Sequence, residues 1–278
     1  MAQPSLFDQD SEPIAKPVSD GVVRLRVLIT VKAAPNPSES YGETVCVAGL
    51  RLDQARLGWV RLYPINFRAL TSSDQFKKYE VVTVDAVPAR QDQRRESWKP
   101  HLPTLKREQF LPPWRARRGL LDPLIEESMC RLNRAAREDA NSQSLALVRP
   151  RQVYGLSVTR HPGWTPEQQR KIDAYANQPD LFNHEDPTPL QPPRFRGTYH
   201  YLCHDDQCRG HKQGMLDWEF VALQLKLQGG ADDALTAQLQ TRFLTEMCKP
   251  SRDVAFYVGN QARRPHVFSV LGVYYPPR

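Results

Sequence analysis

A chain of 278 residues, 40% hydrophobic and 25% charged, can bury one large core or two modest ones. Its apolar runs are strand-sized and broken by charge, and no basic stretch followed by an apolar one opens it, so a cytoplasmic protein with no membrane partner is expected. A net charge of +7 inclines it toward acidic partners, and five cysteines, an odd number, argue for reduced thiols over a disulfide framework.

In chain order, residues 1–20 are polar and acidic and read as a disordered tail. Short Val-rich runs follow at 22–31, 43–50, 58–63 and 79–87, separated by Gly, Pro, Asn and Ser. This pattern predicts an antiparallel sheet or small barrel. Alternation in "VRLRV" sets Arg24 and Arg26 on one face, exposed or occupied by a partner.

The stretch 94–118 holds eight cations, Arg94, Arg95, Lys99, Lys106, Arg107, Arg115, Arg117 and Arg118, against two acids, Glu96 and Glu108. Trp98, Phe110 and Trp114 lie among them. Cations for phosphates and aromatics for stacking suit a single-stranded nucleic acid, whereas the plainer reading is a solvated loop. Trp59, Arg61 and Tyr63 alternate along one strand and so share a face. That trio is either a second stacking surface or barrel core around a paired arginine.

A helix over 123–139 is expected, capped by Asp122 with Pro123 in its first turn. Strand character returns at 144–158, and Thr165 with Gln168 makes a capping box for a short helix. Residues 178–196 are Pro-rich and read as linker. A strand at 194–203 runs into the next motif. Asp217 caps a helix striped by Leu216, Phe220, Leu223 and Leu227. A further helix at 232–247 carries Leu235, Leu239, Phe243 and Met247, and two strands close the chain.

Between those helices and the linker lies "HYLCHDDQCRGH". His200, Cys203, Cys208 and His211 form two close pairs, the arrangement of a structural zinc site, and Gly210 lets the second pair turn. His204 is the alternative fourth ligand, and a polar turn without metal is the alternative to zinc. His204, Asp205, Asp206, His211, Asp217 and Glu219 could instead gather as ligands of a nuclease metal, with Asp217, Glu219 and His211 as its centre. Against this, Asp217 is placed to cap and Glu219 to sit in the first turn.

The strings "VCVAGL", "GWVRLYP", "FKKYEVVTVDAV" and "SLALVRP" resemble the bacterial dual OB-fold domain family over about residues 27–158. The resemblance implies two small β-barrels and no fixed activity. "QPSLF" and "QPDLF" resemble the bacterial sliding-clamp-binding peptide, through Gln3, Ser5, Leu6 and Phe7 and through Gln178, Asp180, Leu181 and Phe182. That likeness implies a clamp as partner.

The expectation is thus an α+β protein with small antiparallel OB-like barrels in its N-terminal half, followed by an α/β module with a zinc-stapled turn. Its divisions would be a tail at 1–20, a dual barrel region at 21–160, a helix and linker at 161–193, and a zinc-binding α+β module at 194–278. The function expected is nucleic-acid binding, with a metal-dependent nuclease or a clamp-docking adaptor as alternatives.

Overall fold

The computed structural model describes residues 16–17, 20–40, 42–67, 70, 75–176, 189–227 and 229–278. Both clamp-type peptides lie outside the described residues. The first half is built from β1 (Val23–Lys32), β2 (Asn36–Ser38), β3 (Gly42–Arg51), β4 (Gly58–Ile65), β5 (Glu80–Pro88) and β6 (Ser97–Phe110). Strand β1 pairs with both β3 and β5, so the sheet closes in the order β1–β3–β4–β6–β5–β1, with β2 added at the edge of β3. All pairings are antiparallel except β4 with β6, where Arg61 lies opposite Ser97. This is the strand order of an OB-type Greek-key barrel. Closure is tight: a Cβ at Gly49 would fall 2.3 Å from the Leu28 carbonyl oxygen, so only glycine fits there.

The four expected strands thus appear within a residue or two of their predicted bounds. The loop reading of 94–118 does not hold. Its first part is β6, whose Trp98 and Leu105 enter the barrel core with Leu25, Val27, Ile29, Val60 and Leu62, and its last part is α1 (Arg115–Leu121).

The second half continues with β7 (Ile125–Glu126), α2 (Met129–Glu138), β8 (Leu145–Val148), β9 (Gln152–Arg160) and α3 (Pro166–Ala176). After these come β10 (Phe195–Leu202), β11 (His211–Gly214), α4 (Trp218–Lys226), α5 (Asp232–Gln240), β12 (Ala255–Gln261) and β13 (Arg264–Tyr274). The helix expected from 123 starts instead at Met129. Ser128 Oγ accepts the Arg131 N–H at 2.9 Å and caps it, while Asp122 accepts from Tyr274 Oη at 2.8 Å. The Thr165–Gln168 capping box forms reciprocally, at 3.2 and 3.0 Å. The stripe of Leu235, Leu239, Phe243 and Met247 is buried throughout. A spacing of four drifts around an α-helix, and the π-helical turn Thr241–Glu246 that follows α5 takes the drift back.

Strands β8 and β9 are separated by only residues 149–151, and β8 pairs with β12 while β9 pairs with β10. Taken as one bent strand, they close a second circuit: β9–β10–β11–β13–β12–β8. Its β11–β13 closure is the isolated parallel bridge between Met215, just past β11, and Val270 of β13. The second half therefore repeats the order of the first, including the parallel contact between third and fifth strands. Only one complete circuit lies within residues 21–160, because β8 and β9 find their partners beyond residue 194.

Three apolar clusters follow from this plan. One fills the first barrel. A second fills the other half, with Leu156, Tyr199, Tyr201, Phe220, Leu239 and Phe256. The third is a seam, in which outward residues Leu28, Val31, Ala48 and Leu50 of the first barrel meet Leu145, Leu147, Tyr257 and Leu271 of the second. Among the described residues no helix is long and apolar enough to cross a membrane.

Candidate functional site

Strand β10 ends where the metal motif begins, and its alternation decides which residues can meet. Phe195, Gly197, Tyr199, Tyr201 and Cys203 point inward and are buried. Cys203 therefore reaches the interior at the end of the strand. His200 has the opposite parity and points out, its Nε2 lying 2.8 Å from Ser157 Oγ. His200 is not part of the cluster, and His204 is exposed. The fourth member is Cys130, in the first turn of α2.

The sulfurs of Cys130, Cys203 and Cys208 and one ring nitrogen of His211 all lie within 4.8 Å of one another. His211 Nε2 is 3.3 Å from Cys203 Sγ, 3.4 Å from Cys208 Sγ and 3.5 Å from Cys130 Sγ. Cys203 and Cys130 sulfurs are 3.7 Å apart. Metal–sulfur and metal–nitrogen bonds of zinc length imply tetrahedron edges of ~3.8 Å between sulfurs and ~3.5 Å between sulfur and nitrogen. The distances fit that figure closely.

The local chain is folded to hold these four atoms. Gly210 has φ +102°, a left-handed turn that brings His211 back toward Cys208. The Cys203 N–H points at Cys208 Sγ at 3.4 Å, and the Cys208 N–H donates to the Asp205 carbonyl at 3.0 Å. Asp205 Oδ2 accepts from Ser128 Oγ at 3.0 Å and Arg134 Nη2 at 2.8 Å, tying the hairpin to α2. Burial, then the neighbouring Cys203 and Cys208 thiols, push the Cys130 thiol up to about 12. Burial lowers His211, keeping its ring neutral as a ligand must be. Thiolates this close repel unless a cation lies among them, so the group could hold a metal ion.

The proposed nuclease centre divides in two. His211 belongs to the cysteine cluster, whereas Asp217 Oδ1 accepts the Glu219 N–H at 2.8 Å as the cap of α4. Asp217 is 3% exposed and faces the seam, where Ala33, just past β1, bridges to it. Its Oδ2 has no hydrogen-bond partner. Glu219 pairs with Lys78 of the first half at 3.3 Å, and Lys78 Nζ also donates to the Val273 carbonyl at 3.4 Å. Lys78 was not among the residues expected here, since nothing local in "QFKKYE" points across the seam.

Three of the expected nucleic-acid residues, Arg61, Trp98 and Arg117, are buried, and five more are half-buried. Trp59 is partly buried, edge-on to Tyr257 with centroids 6.2 Å apart. Arg61 is 3% exposed and donates to both the Ser144 carbonyl and Oγ at 3.3 Å across the seam. Trp98 lies in the first barrel's core, and Trp114 packs on Tyr274 and Tyr275. Arg117 is 6% exposed, donating twice to the Leu111 carbonyl at 2.8–3.0 Å and lying 3.8 Å from the Tyr79 ring centroid.

The other arginines are held too. Arg94 grips Asp92 and the Asn260 carbonyl. Arg95 meets Glu96, Arg107 meets Glu80, and Arg118 meets Asp122. Lys99, Lys106, Arg115 and Tyr63 remain exposed. Arg107 is exposed as well but paired with Glu80, and Phe110 is exposed on the same strand.

The described surface offers a different sheet face. Outward on β9, β10 and β11 stand Tyr154, Ser157, Thr159, Arg196, Thr198, His200 and Lys212, with no carboxylate among the strands' outward residues. Residues 125–278, which carry both this face and the cysteine cluster, match a domain of unknown function (DUF8757).

The chain belongs to that family.

A second domain of unknown function (DUF8758) matches residues 23–123, the first barrel and α1. The DUF8757 part thus holds everything from β7 onward. No curated protein matches the chain. Among solved structures, the Ifi202 HINa domain in complex with 20-bp double-stranded DNA is 8% identical, with a TM-score of 0.30 over 71% of this chain and 78% of that one. The p204 HINb domain is 7% identical, with a TM-score of 0.28 over 91% and 95%. Likeness at that level is too slight to argue from.

Proposed function

We propose that the chain is a nucleic-acid-binding protein made of two successive OB-type barrels, the second fastened by zinc on Cys130, Cys203, Cys208 and His211. The observation that carries this reading is the second barrel's β9–β10–β11 surface. Among the described residues it is solvent-facing, bears cations and an aromatic ring, and has no acid on its strands. OB barrels take oligonucleotides on the face that includes their second and third strands, here β10 and β11. Strand order alone would be an analogy, and it is the chemistry of this face that lifts it above one. Two barrels also agree with the architecture implied by the dual OB-fold resemblance.

Four protein ligands would fill a zinc ion's shell, so the metal's role is structural and it supplies no open position for catalysis. The chemistry it brings is neutralisation of three thiolates. It also joins α2 to the β10–β11 hairpin, whose outer side bears His200 and Lys212. A reducing compartment such as the cytoplasm suits such thiolates. The clamp-type peptides add no structural support to this reading.

The test is fluorescence anisotropy of labelled single-stranded and duplex oligonucleotides with the zinc-loaded protein over a salt series. Affinity should fall linearly on a log–log plot as counterions are released. Failure to bind either form at low salt would end the proposal.

A further inference from the structure

We infer that the outward surface of β9, β10 and β11 is a single-strand platform, with bases stacked on Tyr154 and His200 and phosphates held by Arg196 and Lys212. This rests on the nucleic-acid reading above and names its site and substrate class.

The platform is made by an irregularity in strand pairing. His200 lies opposite Gly155, but its neighbour Tyr201 lies opposite Val153, leaving Tyr154 as an extra residue. A bulge of this kind re-aims the side chain it carries. Val153, Leu156 and Val158 pack on the core, while Tyr154 is turned out and left 55% exposed. On its other side His200 lies opposite Lys212, so ring and cation sit on neighbouring strands, ~4.8 Å apart.

Two glycines keep the surface flat. Gly155 faces His200 across one strand gap, and Gly214 faces Thr198 across the other. A Cβ at either would meet nothing within 4 Å. Packing does not demand glycine there, and the bare backbone beside the rings leaves space for a base to lie down.

Charge selects the occupant. Arg196 donates to Thr159 Oγ1 at 3.2 Å and forms no ion pair, and Lys212 is exposed and likewise unpaired among the described residues. Arg196 and His200 are four residues apart on β10, or ~13 Å. Lys212 therefore flanks His200 on the side away from Tyr154, and Arg196 stands farther along β10. Cations beside and beyond the rings, with no acid among the strands' outward residues, complement a backbone of phosphates with its bases free. A duplex buries its base faces and could use only the cations.

The experiment uses the full zinc-loaded chain and a labelled oligothymidylate, with an unlabelled duplex of the same length as competitor. Tyr154→Ala should weaken single-strand binding roughly tenfold. Arg196→Ala with Lys212→Ala should weaken it and reduce the salt slope by about 1.4, two phosphates' worth for a single strand. Lys99→Ala with Lys106→Ala, on the first barrel, should leave both unchanged. Zinc content and melting temperature of each variant exclude a folding defect. Normal single-strand binding by the Tyr154 and Arg196/Lys212 variants would remove the platform while leaving nucleic-acid binding in place. Duplex that competes better than single strand would overturn the substrate class. A wild-type protein that binds neither form would take down the underlying reading as well.

Discussion

The two barrels share one strand order and use the same face in opposite ways. In the first, the outward side of β1, β3 and β4 is spent on the seam: Leu28, Ala48 and Leu50 are buried there and Arg61 is sealed beneath it. In the second, the outward residues of the matching side, β9, β10 and β11, are exposed or half-buried among the described residues. The cations differ accordingly. Arg24 and Arg26 of β1 each meet a carboxylate, Asp85 directly across the strand gap and Glu108 on β6. Arg196 and Lys212 of the second barrel meet none among the described residues. A shared fold therefore says little about which copy carries a ligand; what covers the face, and what neutralises it, says more.

The sharpest way to break this contrast is to remove a ligand of the zinc proposed to fasten the second barrel. Cys130→Ser should lose the zinc and destabilise the chain by several kcal/mol, because the apo ligands cannot hold the hairpin against α2. His200→Ala should keep about one zinc per chain, since its ring lies on the other side of β10. Metal analysis of both variants checks this, and zinc lost from the His200 variant with Cys130→Ser still loaded would invert the ligand set.

The seam gives the next largest effect. Arg61→Ala or Arg117→Ala should cost about 3 kcal/mol in denaturant unfolding, since each leaves buried acceptors without their donor. Arg115→Ala, in the same basic stretch but exposed, should stay within about 0.5 kcal/mol. Effects within about 0.5 kcal/mol for all three would mean that Arg61 and Arg117 are surface groups after all.

That pair of outcomes marks where the sequence was legible. Apolar periodicity placed β1, β3, β4 and β5 and the stripe from Leu235 to Met247, because each is a local pattern with one buried face. The capping box at Thr165 was legible from its spacing, whereas β2, three residues at the edge, was not. Cys203, Cys208 and His211 could be found because they are close in the chain. Cys130 could not, since 73 residues separate it from Cys203 and only the packing of α2 joins them. His200 was excluded by parity, which the sequence does contain: residues 200 and 203 on one strand face opposite ways. The basic run misled because counting cations does not reveal which acids they will meet. Asp92, Asp122 and Glu80 lie outside it or come from another strand. Tyr154 was passed over for a related reason, since a bulge is a property of pairing and not of one strand.

The smallest expected effect concerns the carboxylate caught between the barrels. Burial raises the Asp217 carboxyl to about 7, with Lys78 opposing the rise and Glu219 adding to it. In the unfolded chain the same group should titrate near 3.9. Between about pH 4 and pH 7 the folded protein therefore keeps a proton that the unfolded chain has lost. Raising the pH through that window favours unfolding, and above it the loss is complete. Asparagine mimics the protonated acid and still caps α4 through its Oδ1. Asp217→Asn should match wild type near pH 4 and exceed it by on the order of 2 kcal/mol at pH 8, once relaxation of the surroundings is allowed for. Thermal melts of both proteins across this range decide it. If the variant were less stable at pH 8, Asp217 would be ionised there and bound to Lys78, and the seam would be held by an ion pair where a neutral cap is expected.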